Sequence, residues 1–166
     1  TLAVNVHLGP GASSYERPLG VEGALERIVQ RSVDAVSQHT GWRPGITAVH
    51  LSAFSAGYGA IRALATQPDF EGRVSGVLLL DGLHADYIPE GRVLAEGGRL
   101  DPGDLGPFLD LARRAAARRI AFVLTHSEVF PGTFASTTEM TDAMLSALGL
   151  ERTPVLAWGP LGMQQL

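Results

Sequence analysis

The sequence predicts an α/β fold, a three-layer αβα sandwich on a mostly parallel sheet. Three observations predict it. Runs of β-favouring residues alternate with stretches whose apolar residues recur at helical spacing along most of the chain. Two runs, RVSGVLLLDG (73–82) and IAFVLTHS (120–127), are almost continuously apolar, the pattern of strands covered on both faces. The 166 residues, 45% hydrophobic and 18% charged, suit one soluble α/β domain spanning residues 1–166.

Residues 2–8, LAVNVHL, are rich in β-formers and end at the turn residues Gly9, Pro10 and Gly11, so a first strand is expected there. A polar loop, ASSYERPLG, follows. Val21, Ala24, Leu25, Ile28, Val29, Val33 and Val36 then mark a helix with one buried face, ending before Gly41. Residues 46–51 read as the second strand. The stretch SAFSAGYGA leads into a helix bearing Ile61, Leu64 and Ala65 on one side, and Pro68 stops it.

After the apolar run 73–82 the rhythm breaks. Residues 82–104 connect a strand to a helix through more than twenty positions rich in glycine, proline and charge, a length that points to a lid, a substrate wall or a surface excursion. A helix is expected from about Leu105 to Arg119, with Phe108, Leu111, Ala112 and Ala115 inward. Past IAFVLTHS and the loop EVFPGTFA, Ser136 and Glu139 stand at capping-box spacing before a helix lined by Met140, Ala143, Met144, Ala147 and Leu148. Gly149 suits its C′ position, and PVLAW (154–158) reads as the last strand. Strands alternating with helices require right-handed crossovers and a sheet covered on both sides.

Composition excludes several functions. A net charge of −4 argues against a nucleic-acid partner, which would call for a basic surface. With no cysteine there are no disulfides, thiolate chemistry or cysteine zinc sites. All 13 basic residues are arginine, which we attribute to GC-rich coding. No apolar run reaches the roughly 18 residues that span a bilayer, and no charged segment precedes an apolar one at the start. The five histidines lack paired metal-ligand spacing, so no metal is expected.

The chemistry centres on AFSAG, residues 53–57. A serine hydroxyl becomes a nucleophile when it is exposed, oriented and paired with a base. A sharp strand-to-helix turn supplies the first two conditions and demands small residues two positions either side, here Ala53 and Gly57. Gly59 is expected to let the helix lie close to the strand. The N–H of Ala56, at the helix start, is placed to stabilise a developing oxyanion.

At this stretch the chain resembles the α/β-hydrolase superfamily, whose nucleophile elbow reads G-x-S-x-G; Ala53 replaces the first glycine. The order of elements extends the resemblance over nearly the whole chain. It implies a serine hydrolase, esterase- or lipase-like, acting on a small-molecule ester, thioester or amide through an acyl-enzyme on Ser55, with no cofactor. It places the acid after the strand one or two beyond the elbow strand, at Asp81 or Glu128. It places the base after the final strand, where residues 159–166 hold no histidine. His126, then His84, are the substitutes on the right edge of the sheet; the alternative is a histidine beyond Leu166. His7 to Gly11 has the look of an oxyanion loop but sits in the wrong strand, and a glycine-proline turn is the simpler reading. His39 is expected to be exposed and His50 packed. Together with the missing methionine, these gaps suggest a fragment lacking N-terminal strands and a C-terminal histidine segment.

Two rivals use the same residues. GYGAIR supplies G-x-G-x-x followed by Arg62, and Asp81 lies near the distance of a ribose-binding acid, as in a Rossmann-like nucleotide-binding domain. Arg62 stands where that fingerprint wants glycine or alanine. The other rival is a non-catalytic hydrolase-fold binding domain, which the absent histidine favours.

Overall fold

A computed structural model describes residues 1–154, 156–158, 164 and 165. Its centre is a parallel three-stranded sheet of β1 (Val49–Phe54), β2 (Val74–Leu80) and β5 (Ala121–Thr125), in the order β1-β2-β5. The connections are helical. Between β1 and β2 lie α3 (Tyr58–Ala65) and the short α4 (Phe70–Arg73), and between β2 and β5 lies α5 (Pro102–Ala116). Ahead of β1 come α1 (Ser13–Leu19) and α2 (Ala24–Thr40); after β5 comes α6 (Thr137–Leu148). The class is therefore α/β with a parallel sheet.

Register explains where the core sits. Leu51 pairs with Val77 and Val77 with Phe122, while Ala53 pairs with Leu79 and Leu79 with Leu124. Side chains alternate between faces along each strand, so these columns share one face. That face packs onto the helices in a core with Leu25, Ile61, Leu64, Phe70, Phe108, Leu111, Met140 and Met144. The other face carries Ser52, Leu78 and Val123 in one column and Phe54, Leu80 and Thr125 in the next. There Phe54 is 71% exposed and Val123 55%. Among the described residues, helices cover one face of the sheet, and the expected second helical layer is not found.

The helix signals in the sequence are realised. α2 ends at Gly41 in the left-handed conformation (φ 70°), and α6 opens with the full capping box of Ser136 and Glu139 and closes at Gly149 (φ 64°). α5 starts earlier than expected because Asp101 caps it, accepting a hydrogen bond from the Gly103 N–H, with Pro102 at the first helical position.

Four expectations need correction. Residues 2–8 form no strand; Leu2, Val4, Val6 and Leu8 are all exposed, and no neighbouring strand among the described residues supplies a ladder. They form one wall of a groove of about 610 Å³ whose other wall includes β1, the edge of the sheet. The stretch expected as a polar loop holds α1, anchored by buried Leu19. Segment 82–104 is tied down: Leu83, Ala85 and Tyr87 are core residues, and β3 (Tyr87–Ile88) pairs antiparallel with β4 (Arg99–Leu100). Lastly, Ala157–Trp158 (β6) pairs antiparallel with Gln164–Gln165 (β7) rather than joining the parallel sheet; Val155, in the same expected strand, lies outside the described residues.

No described helix is long and apolar enough to cross a membrane. Among the described residues, no group of three histidine, aspartate or glutamate side chains is arranged to hold a metal ion.

Candidate active site

Ser55 stands at the end of β1 with φ +48°, in the left-handed region that a residue with a Cβ rarely adopts. Such a conformation costs about 1–3 kcal/mol and persists only where the surroundings enforce it. Here they do. A 3-10 turn, Ser55–Gly57, runs directly into α3. A Cβ on Gly57 would come within 3.2 Å of the Ala53 Cβ, so the small residues either side of Ser55 face each other across the turn. Gly82, just past the end of β2, closes the other side: a Cβ there would lie 2.5 Å from the Ser55 carbonyl oxygen and 2.9 Å from its nitrogen. Ser55 itself is exposed, and the Ala56 N–H lies in the first helical turn, where no preceding turn offers an acceptor.

Gly59 has a different task from the one expected. Its missing side chain admits the start of α1, since a Cβ would meet the Ala12 carbonyl oxygen at 2.5 Å, nearer than any atom of the strand.

Asp81 ends β2, the neighbouring strand, and shares the strained conformation, with φ +45°. Phe54 and Leu80 are register partners, so Ser55 and Asp81 leave adjacent strand ends side by side. One Asp81 carboxylate oxygen accepts hydrogen bonds from the Thr137 hydroxyl (2.8 Å) and the Ser127 N–H (2.9 Å). The Thr137 bond, then the Ser127 contacts and the attraction of His84, hold the carboxyl below its ordinary range against a smaller opposing effect of burial. Asp81 is thus a fixed anion at the sheet edge.

His84 lies three residues on. Its Nδ1 is 2.8 Å from the Ala135 carbonyl oxygen, which can only accept, so Nδ1 carries a proton, and in the neutral imidazole the lone pair is on Nε2. The ring packs edge-on against Tyr58 (centroids 5.4 Å apart) and Phe134 (4.9 Å). Tyr58 opens α3, immediately beyond the serine turn, and Gly82 abuts Ser55; two contacts therefore bring the His84 segment toward Ser55.

His126 is differently occupied. Arg152 donates to its Nε2 (2.8 Å), which leaves Nδ1 to donate to the Thr138 hydroxyl (3.2 Å). A guanidinium does not release that proton, so the lone pair a base would use is already engaged. Glu128 is exposed at the start of loop 128–135. His7 and His39 are exposed, and so, against expectation, is His50, whose imidazole lies over Gly76.

Arg62 extends toward α1 and away from the sheet. Its guanidinium bonds Glu16 and Asp104 and stacks 5.4 Å from the Tyr58 ring centre, and its protonated form is favoured further by those carboxylates. The sequence pattern did not single out Gly82, Thr137, Ser127, Phe134 or the Ala135 carbonyl. Only Gly82 had a local signal, a glycine directly after an apolar strand run.

Comparison with protein-family models, with curated proteins and with solved structures finds no match to this chain.

Proposed function

We propose that this chain is a serine hydrolase of the α/β-hydrolase type, cleaving an ester, thioester or amide through an acyl-enzyme on Ser55. The observation that carries the reading is the strained, exposed Ser55 at a strand-to-helix turn, with Gly57 and Gly82 kept free of side chains around it. Local strain of this kind at an exposed hydroxyl has no stabilising purpose.

In this reading His84 is the base in place of His126. Ser55 Oγ attacks the acyl carbon as its proton passes to His84 Nε2, and the Ala56 N–H supports the oxyanion. The proton then goes to the leaving group. Water, deprotonated by the same nitrogen, releases the acid and restores Ser55. The Ala135 carbonyl orients the imidazole, while the Asp81 carboxylate stabilises its charged form through space. Glu128 has no role in this scheme.

Gly57 also counts against the nucleotide-binding rival. It has an ordinary helical backbone (φ −61°), and its lack of a side chain serves Ala53 rather than a phosphate. Treatment with a fluorophosphonate should label Ser55, with labelling abolished in Ser55→Ala and slowed at least tenfold in His84→Gln. Absence of labelling in the folded protein, with a dinucleotide raising its melting temperature, would overturn the reading.

A further inference from the structure

Resting on the Ser55 and His84 reading, we infer that loop 128–135 is the subsite for an apolar leaving group, so the preferred substrates are esters of apolar alcohols. The base must touch the leaving group to hand it a proton, so that group lies on the His84 side of Ser55. The neighbour of that histidine is loop 128–135. It is attached to the His84 segment at two points, the Ala135 N–H donating to the Ala85 carbonyl (2.9 Å) and His84 Nδ1 donating to the Ala135 carbonyl (2.8 Å). Phe134 lies against the imidazole edge. Its other end is fixed where the Ser127 N–H meets Asp81.

Between these anchors the loop shows water an apolar surface. Val129 is 69% exposed and Phe130 57%, and Phe134 is exposed in the same loop. Pro131 and Gly132 (φ +77°) turn the chain between Phe130 and Phe134. Neither Val129 nor Phe130 belongs to the core or packs against it, so stability does not account for them. Exposed apolar side chains on a loop joined to a catalytic histidine fit an alkyl or aryl group with no charge of its own.

The test uses three esters with the full chain: ethyl acetate, octyl acetate and ethyl octanoate, compared by kcat/KM, which reports the acylation step while the leaving group is bound. Octyl acetate should exceed ethyl acetate, and Phe130→Ser should reduce that ratio about tenfold, as expected for losing part of one aromatic contact. The ratio of ethyl octanoate to ethyl acetate should not move. Leu94→Ser, exposed on segment 82–104, serves as the control and should leave both ratios alone. If Phe130→Ser changes the acyl-chain ratio instead, or neither ratio, while a fluorophosphonate still labels Ser55, the subsite inference fails and the serine hydrolase reading stands. If Ser55 is not labelled, both fall.

Discussion

Gly82→Ala offers the most direct perturbation of the serine turn, because the obstacle to a new methyl group is the backbone of Ser55 itself. Its Cβ would fall 2.5 Å from the Ser55 oxygen, 2.9 Å from its nitrogen and 3.2 Å from its carbonyl carbon, all inside contact distance. Neither strand end can yield without loosening the Phe54 to Leu80 register that sets Ser55 beside Asp81. Overpacking of this kind costs about 1–3 kcal/mol, which a urea unfolding curve resolves as a lower midpoint with unchanged slope. The same shift moves Ser55 from its strained conformation, so the fluorophosphonate labelling rate should fall at least tenfold. Gly76→Ala is the internal comparison on the same strand. There the new Cβ would meet the end of the His50 imidazole at 2.6 Å and the Ala121 Cβ at an ordinary 3.5 Å. Gly76 is itself buried, but His50 is exposed and can rotate aside, so the cost should fall below that of Gly82→Ala. A Gly82→Ala protein as stable as the parent, labelled at the parent rate, would refute the claim that Gly82 holds the serine turn in shape.

Two further outcomes follow from backbone strain and charge. Ser55→Gly should be more stable than Ser55→Ala by about 1 kcal/mol, since glycine accepts φ +48° and alanine does not; equal urea midpoints would show that the turn stores no strain. Asp81 has a folded-state pKa below its unfolded value, so its contribution is present above the unfolded value of about 3.9 and disappears as pH falls through the folded one. Asp81→Asn should therefore be less stable than the parent by about 1 kcal/mol at pH 7, solvent access keeping the figure low, with the gap closing as pH falls through the folded pKa. A gap that persists in acid would assign the loss to geometry rather than charge.

Legibility in the sequence followed the range of the interactions. α2 and α6 were readable with their ends because a helix is held by contacts three and four residues away and closed by local caps: Gly41, Gly149, and Ser136 with Glu139. The serine turn was readable for a similar reason, since Ala53 and Gly57 are two residues either side of Ser55 and meet each other. Residues 2–8 misled because β-forming composition is only permission; a strand exists when another strand accepts its N–H and C=O groups. The polar look of ASSYERPLG hid α1, whose N-terminal end lies against Gly59, more than forty residues away.

What the sequence by itself determined is therefore the parallel β/α framework and a serine presented at a strand-to-helix turn, both consequences of local periodicity and small-residue spacing. The tertiary structure decided the rest. It set Gly82 against Ser55, tied Asp81 to Thr137 across 56 positions, turned His84 Nδ1 to the Ala135 carbonyl while Arg152 engaged His126 Nε2, and packed Phe134 of an apolar loop on the His84 imidazole. None of these pairs shares a helix turn or a strand neighbour in sequence. Each is created when β1, β2 and β5 come side by side, and sheet pairing is a long-range event that no short window of residues encodes.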